Sequence, residues 1–531
     1  MSVVESSAMT RRELLTLIGR AAGSAVMYQA MTSLAVAAES TFTKPIELRG
    51  APKGASILIL GAGLAGMVAA YELRKAGYSV QILEYQNRAG GRNWSIYGGD
   101  VYTELGGFTQ RVPFDKGLYF NPGPWRIPYH HRGILHYAKL LGVPMEPFIE
   151  INYAAYMHST KAFGGKPQRY REVKADYEGY LAELLAKSMQ QQKLDQLVSK
   201  EDREILLESL RGWGALEDDF SYAKSRRSSR RRGYENPPGG GLSPAPSPSQ
   251  PIGLSELLQS RLWRSLSDSN VFDDQQTMFQ PVGGMGLIGR AFGKALEGVI
   301  RYNAKVTDIR QDNQGVTVTY VDTNKGGAPQ TARADWCVNT IPATVLSQIP
   351  MNVGTPMQTA ISSMPYLAAA KVGLQMKRRF WEEDDGIYGG ITYTDQQIGR
   401  ISYPSTDYFK PGKGVLLGAY MFGTDAIEFT ALSPEQRIAR AVEMGSKIHP
   451  QYRTEFEVGF SIGWHRVPWI LGCSALSWGD DQMSQYNDLC AIDNRIVLAG
   501  EHASRITAWQ EGAVTSALDA IGRLHKRIVQ S

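Results

Sequence analysis

The apolar positions change period several times along the chain, and the sharpest change falls between residues 55 and 92. Ile57 to Leu60 is an unbroken apolar run of the kind that predicts a buried parallel strand. It runs into Gly61-Ala62-Gly63-Leu64-Ala65-Gly66. Met67, Val68, Ala70, Tyr71 and Leu73 then recur at helical spacing up to Gly77. Tyr78 to Leu83 is a second apolar strand, closed by Glu84. Strand, glycine turn, helix, strand and acid in this order make a dinucleotide-binding unit. Gly61 permits the tight turn, Gly63 lets a pyrophosphate approach the backbone, and Gly66 lets helix and strand pack closely. The free N–H groups at the helix start, Ala65 among them, and the helix dipole face the phosphates. Glu84 can accept hydrogen bonds from a ribose, which argues against a 2′-phosphate.

Beyond this unit the pattern alternates between helical and strand-like stretches. Gly133 to Leu210 and Ile252 to Leu266 have helical spacing. Between them Lys224 to Pro251, with RRSSRRRG and NPPGGGLSPAPSPSQP, reads as a low-complexity, solvated and mobile loop. A glycine turn at Phe279–Ile288 leads into a helix. Strands are predicted at Val299–Tyr302, Val306–Ile309 and Val316–Tyr320. Met351 to Met483 reads as mixed strands with one helix, Glu435–Ile448. In the last segment a strand within residues 496–502 meets a helix that starts near Gly512. Gly459-Phe460-Ser461-Ile462-Gly463 spells a hydrolase elbow, but no helical period follows it, so that reading is rejected.

Residues 1–40 look like an address. Arg11-Arg12 opens a twin-arginine pattern, a modestly apolar stretch follows, and Ala35-Val36-Ala37 is a small-x-small cleavage candidate. Arg20 and Gln29 interrupt the stretch too much for a comfortable membrane span. Export to the periplasm or medium is expected, with no stable membrane insertion.

At 531 residues the chain has room for two or three domains, and its 43% hydrophobic and 21% charged residues are those of an ordinary globular protein. The net charge is +5, but Lys224 to Arg232 alone carries six positive charges, which leaves the remainder near neutral. This excludes a nucleic-acid binder. Cys337, Cys473 and Cys490 form neither a disulfide framework nor a metal spacing, so no metal is expected.

Asn87-Arg88-Ala89-Gly90-Gly91-Arg92 after the acid, Asn121-Pro122-Gly123-Pro124-Trp125-Arg126-Ile127-Pro128, and Gly500-Glu501-His502 followed by Ala508-Trp509-Gln510-Glu511-Gly512-Ala513-Val514 resemble the flavin amine oxidase family, in its bacterial L-amino acid oxidase branch. The resemblance covers roughly residues 50–530 apart from the Lys224–Pro251 insert. It implies FAD as cofactor, with Gly91 and Arg92 along the diphosphate and ring system and Val306 at the adenine. It also brings Gly107, Pro124, Trp125, Arg126, Trp464, Gly500, Ala513 and Val514 to the cofactor. It places Glu501 at the ribityl chain and the helix start at Gly512 against the pyrimidine edge. On the substrate side it implies that Arg126 and Tyr420 grip a carboxylate, that Trp469 and Trp509 form an aromatic cage beside Ala508, and that Lys371 holds a water near flavin N5. A guanidinium offers two parallel donors, which suits a carboxylate. Cys473 falls where some members bond covalently to FAD, though a buried neutral thiol is the plainer expectation.

The expected fold is α/β, with an FAD-binding Rossmann-like (glutathione-reductase type) domain assembled from three segments (50–110, 277–345 and 484–531). A mixed β-sheet substrate domain (111–132 and 346–483) and a helical insertion (133–276, with a flexible loop 224–251) complete it. The expected activity is oxidative deamination of L-amino acids with O2, giving 2-oxo acids, ammonia and peroxide, by a homodimer or higher homo-oligomer. An amine or polyamine oxidase, an amide-forming monooxygenase, and a secreted flavin-binding interaction protein are the alternatives.

Overall fold

The computed structural model describes residues 40–191, 199–267 and 270–530. The twin-arginine stretch lies outside the described residues, save Ser40. The first glycine-bounded unit folds as its pattern predicts. Strand β1 (Ser56–Leu60) is followed by helix α1 (Leu64–Lys75) and strand β2 (Ser79–Leu83). Four distant strands join them: β3 (Ile300–Arg301), β4 (Trp336–Asn339), β5 (Ile492–Asp493) and β6 (Ile496–Leu498). The sheet order is β3-β2-β1-β4-β6-β5, parallel throughout except at the β5 edge. Three separated stretches of chain therefore build one sheet, with Ile57 and Ile59 in one apolar core and Leu58 and Leu60 in another on the opposite face.

A second sheet of seven strands lies elsewhere in the fold. Its order is Gln168–Arg169, Tyr156–His158, Ile391–Thr394, Arg400–Ser402, Gly414–Phe422, Ala369–Met376 and Phe456–Gly463. Ala369–Met376 is buried at every position, and Lys371 stands in its middle opposite Tyr420 and Ile462. Gly459 to Gly463 lies within a strand that ends in a single 3-10 turn, Trp464–Arg466. The 346–483 stretch holds more helix than its pattern shows. Besides Pro434–Gly445 there are helices at Thr355–Ser363 and Gly423–Thr430. Each is under three turns, too short for periodicity to separate it from a strand.

The insertion is helical. Helix α2 (Arg132–Leu140) precedes α3 (Tyr170–Gln190), α4 (Lys200–Gly214) and α5 (Arg226–Arg232). α5 occupies Arg226–Arg232 at the start of the stretch 224–251, where a mobile loop was expected. Ser225 accepts N–H bonds from Arg227 and Ser228 and caps the helix start. Three of its five arginines are held by the chain itself. Arg227 donates to the Leu216 carbonyl and Arg231 to that of Gly212, both at the end of α4, where the helix dipole favours a cation. Arg232 is buried and pairs with Asp176 at 2.9 Å. The last helix, α6 (Gln510–Gln530), begins two residues before Gly512 and packs on α1.

Candidate functional site

A cavity of about 1500 Å3 runs from the end of β1 to the middle of the second sheet. Single ligand pockets are usually about 300–1,000 Å3, so there is room for a dinucleotide and a second molecule. Gly61, Gly63, Ala65, Glu84, Gly91, Arg92, Val306, Gly500, Glu501 and Ala513 line it, as do Pro124, Trp125, Arg126, Lys371, Tyr420, Trp464, Trp469, Ala508 and Trp509. Four expected residues do not. Gly107 is exposed and donates its N–H to the Glu104 carbonyl in a turn whose Leu105, not Gly107, lines the cavity. Gly66, Gly512 and Val514 are buried one layer behind the wall. A methyl at Gly66 would lie 2.0 Å from the Gly61 carbonyl oxygen, and one at Gly512 would lie 2.0 Å from that of Ile506. Both therefore act through backbone packing.

The β1–α1 end suits a diphosphate. No side chain caps α1, and no acid occupies its first turn. A Cβ at Gly63 would meet nothing within 4 Å, so its lack of a side chain serves open space rather than a protein neighbour. Glu84 is buried, and its two oxygens accept the Ala62 N–H at 2.6 Å and the Gln86 N–H at 2.8 Å. Burial raises its pKa against those two bonds. One lone pair on each oxygen is left for a sugar hydroxyl. FAD fits this donor and acceptor set.

Midway, Arg92 donates to Glu501 at 2.7 Å and to the Cys473 carbonyl at 3.0 Å. Glu501 also takes the N–H groups of Ala475 and Ala508, both at 3.1 Å. Burial alone would raise the Glu501 carboxyl, but Arg92 and these donors hold it below its usual value. Ala508 has φ +68°, a left-handed conformation that costs an L-residue, and Glu501 fastens it there. Burial pushes the Cys473 thiol up to about 11, so it is a neutral group.

The far end is aromatic around two cations. Lys371 donates to the carbonyls of Gly123 and Asn121, and its ammonium lies 4.4 Å from the Tyr420 ring and 4.7 Å from that of Trp125. The partners it needs are thus supplied within the chain by carbonyls of the Asn121–Pro124 turn. Burial lowers its pKa to about 7, with the nearby Arg126 adding to the effect. Trp464 donates to the Pro122 carbonyl at 2.7 Å and ties the same turn to the second sheet. Trp469 packs edge-on against Trp94 and Tyr102, while Trp509 lies under the Arg126 guanidinium at 5.5 Å.

Arg126 has company that its sequence context did not reveal. Nε lies 3.0 Å from Glu150, and Nη2 donates to Asp274 at 2.7 Å. Burial disfavours its charge, but the two carboxylates outweigh this and raise its pKa. Asp273 and Asp274 come from a 3-10 turn in the insertion and line the cavity together with Arg264 and Val271. Burial and Asp274 push the Asp273 carboxyl up to about 7, while its acceptance of a bond from Trp509 lowers it.

Residues 64–524 match the family model of flavin containing amine oxidoreductases. An L-amino-acid oxidase of Siganus canaliculatus is 27% identical over 483 residues, covering 89% of this chain and 85% of its own. The flavin-dependent L-tryptophan oxidase RebO of Lentzea aerocolonigenes is 27% identical over 495 residues, covering 88% and 97%. Among solved structures, cyclohexylamine oxidase from Brevibacterium oxydans superposes with a TM-score of 0.58 at 16% identity, over 90% of this chain and 99% of that one.

Proposed function

The chain belongs to the flavin-containing amine oxidoreductase family, and from that premise we propose that it oxidises the α-amine of L-amino acids. It is a flavin-dependent oxidoreductase with FAD as its cofactor. When bound, FAD supplies the acceptor for the Cα hydride and passes the electrons to O2. The residues supply position. Arg126 is the observation that carries the carboxylate reading: a buried guanidinium lines the cavity beside Trp125 and Trp509, on the same wall as Tyr420. Trp469 and Trp509 offer apolar faces that favour a neutral amine over an ammonium. Lys371, lowered to about 7, exchanges a proton near neutrality. Fixing the carboxylate and caging the amine aims the Cα–H bond in one direction, and such positioning accounts for much of the rate.

Peroxide release across a panel of L-amino acids, each set against its decarboxylated amine, tests the reading. Turnover of amino acids alone is expected; equal or better turnover of the amines overturns it. The amine reading has one structural point in its favour, since Arg126 already faces two carboxylates. Export by the twin-arginine route is likewise proposed from Arg11 and Arg12, and loss of export on Arg11→Lys with Arg12→Lys is the expected result. Assembly as a homodimer or larger homo-oligomer is proposed as well, with light scattering as its check.

A further inference from the structure

At the cavity wall the fold gathers His130 and His131, which do not line the cavity, with Asp273, which does. The two histidines lie at the entrance to α2, and Asp273 lies in the 3-10 turn Phe272–Asp274. One ligand atom from each residue lies within 4.8 Å of the others. Three atoms so spaced are at most about 2.8 Å (4.8/√3) from a common centre. Zinc takes imidazole nitrogen and carboxylate oxygen at about 2.0–2.2 Å, so movements of under about 1 Å would close the set. Rotation about side-chain bonds supplies that much.

The buried polar inventory points the same way. His131 is 1% exposed, and its Nε2 has no hydrogen-bond partner among the described residues. Asp273 Oδ1 is buried and likewise has none. Two imidazoles and one carboxylate make a donor set for a transition cation. A cationic part of the substrate is a poorer occupant, because neither His130 nor His131 lines the cavity and only Asp273 does.

We propose that His130, His131 and Asp273 bind one divalent transition cation, of which zinc is the reference, and that the ion braces Trp509 from behind. Asp273 accepts the Trp509 side-chain hydrogen bond, and the His131 ring meets Trp509 edge-on at 5.0 Å. An ion on Asp273 and His131 therefore fixes two of the contacts that orient this wall of the cavity. The site does not depend on which amine is oxidised, so it stands or falls separately from the substrate reading.

The test uses tag-free holoenzyme, stripped with a chelator and titrated calorimetrically with zinc. One saturable equivalent per chain is expected. His131→Ala and Asp273→Asn should each weaken it at least tenfold with flavin content unchanged. Absence of saturable binding, or binding that survives both substitutions, overturns the proposal. If a variant fails to fold, the unsubstituted holoenzyme decides. Copper added in place of zinc should show nitrogen hyperfine splitting from imidazole in its paramagnetic resonance spectrum, where oxidised flavin is silent. A spectrum with oxygen ligands alone rejects the site.

Discussion

Asp274→Asn should tighten the binding of amino acids. Arg126 presents two edges that can grip a carboxylate with two prongs, Nε with Nη2 and Nη1 with Nη2. Nη2 belongs to both, and Asp274 accepts from it at 2.7 Å. Nη2 gives one N–H to each edge, so a two-pronged grip on the edge that Asp274 holds requires Asp274 to let go. A hydrogen bond between charged partners contributes about 1.5–3 kcal/mol and a neutral one about 0.5–1.5. Asparagine keeps the shape but leaves only the guanidinium charged, so the bond falls from the upper to the lower end of the charged range. The substrate then displaces a partner weaker by about 1–1.5 kcal/mol, which is about 5- to 12-fold in affinity.

The assay is peroxide production against amino acid concentration, paired with titration of the resting enzyme with benzoate, an unreactive carboxylate, followed by flavin absorbance. A KM and a benzoate Kd lowered by similar factors, with kcat little changed, are expected. Asp274 lies outside the reacting geometry once it has been displaced. A KM that is unchanged or raised would show that Asp274 helps to hold Arg126 for the substrate, and the exchange argument would fail.

Three further outcomes follow from particular contacts. Lys371 has a folded pKa of about 7, below its free value, so between about pH 7 and 10.5 the unfolded chain binds a proton that the folded one lacks, and this group's contribution to stability rises with pH. Lys371→Met removes that dependence, so its melting temperature should gain relative to the parent at pH 6 compared with pH 9; equal offsets at both would refute the sign. Arg232→Met strands Asp176, whose side chain is fully buried, and should cost about 3–5 kcal/mol in denaturant unfolding, whereas a loss under 1 kcal/mol would mean that the pair is solvated. Gly66→Ala drives a methyl into the Gly61 carbonyl and should yield protein with little bound flavin; full yellow colour on purification would contradict the packing argument.

Much of the cofactor cradle was legible because its parts are local. Gly61 to Glu84 completes strand, turn, helix, strand and acid within a single stretch, and Gly66 answers to the Gly61 carbonyl in the same turn. Lys371 was conspicuous as a cation inside an apolar run. The partners of Arg126 were not legible, since Asp274 is 148 residues away and comes from an insertion whose pattern shows only helix. The Arg226–Arg232 run misled for the same reason. A charge run reads as solvated unless the helix end and the buried acid that receive it can be seen, and Gly212, Leu216 and Asp176 lie outside the run. His130 and His131 carried no ligand spacing, because their third member arrives from the insertion.

The two acids around Arg126 also bear on how one cavity can tell an amino acid from an amine. A buried guanidinium with no counter-ion is costly, so a clamp waiting for a carboxylate needs one in the meantime. Glu150, at 3% side-chain exposure, is the fixed partner, and Asp274, at 21%, is the more accessible one. An amino acid that replaces Asp274 exchanges one carboxylate for another and leaves the charge on the clamp balanced. An amine without a carboxylate leaves the Asp274 bond in place and gains nothing from Arg126. Asp274→Asn should therefore lower KM for an amino acid about 5- to 12-fold and leave KM for its decarboxylated amine nearly unchanged, by the same difference in bond strength. If both fall together, Asp274 acts through the field of the whole cavity rather than by occupying Nη2, and the clamp is not where selectivity arises.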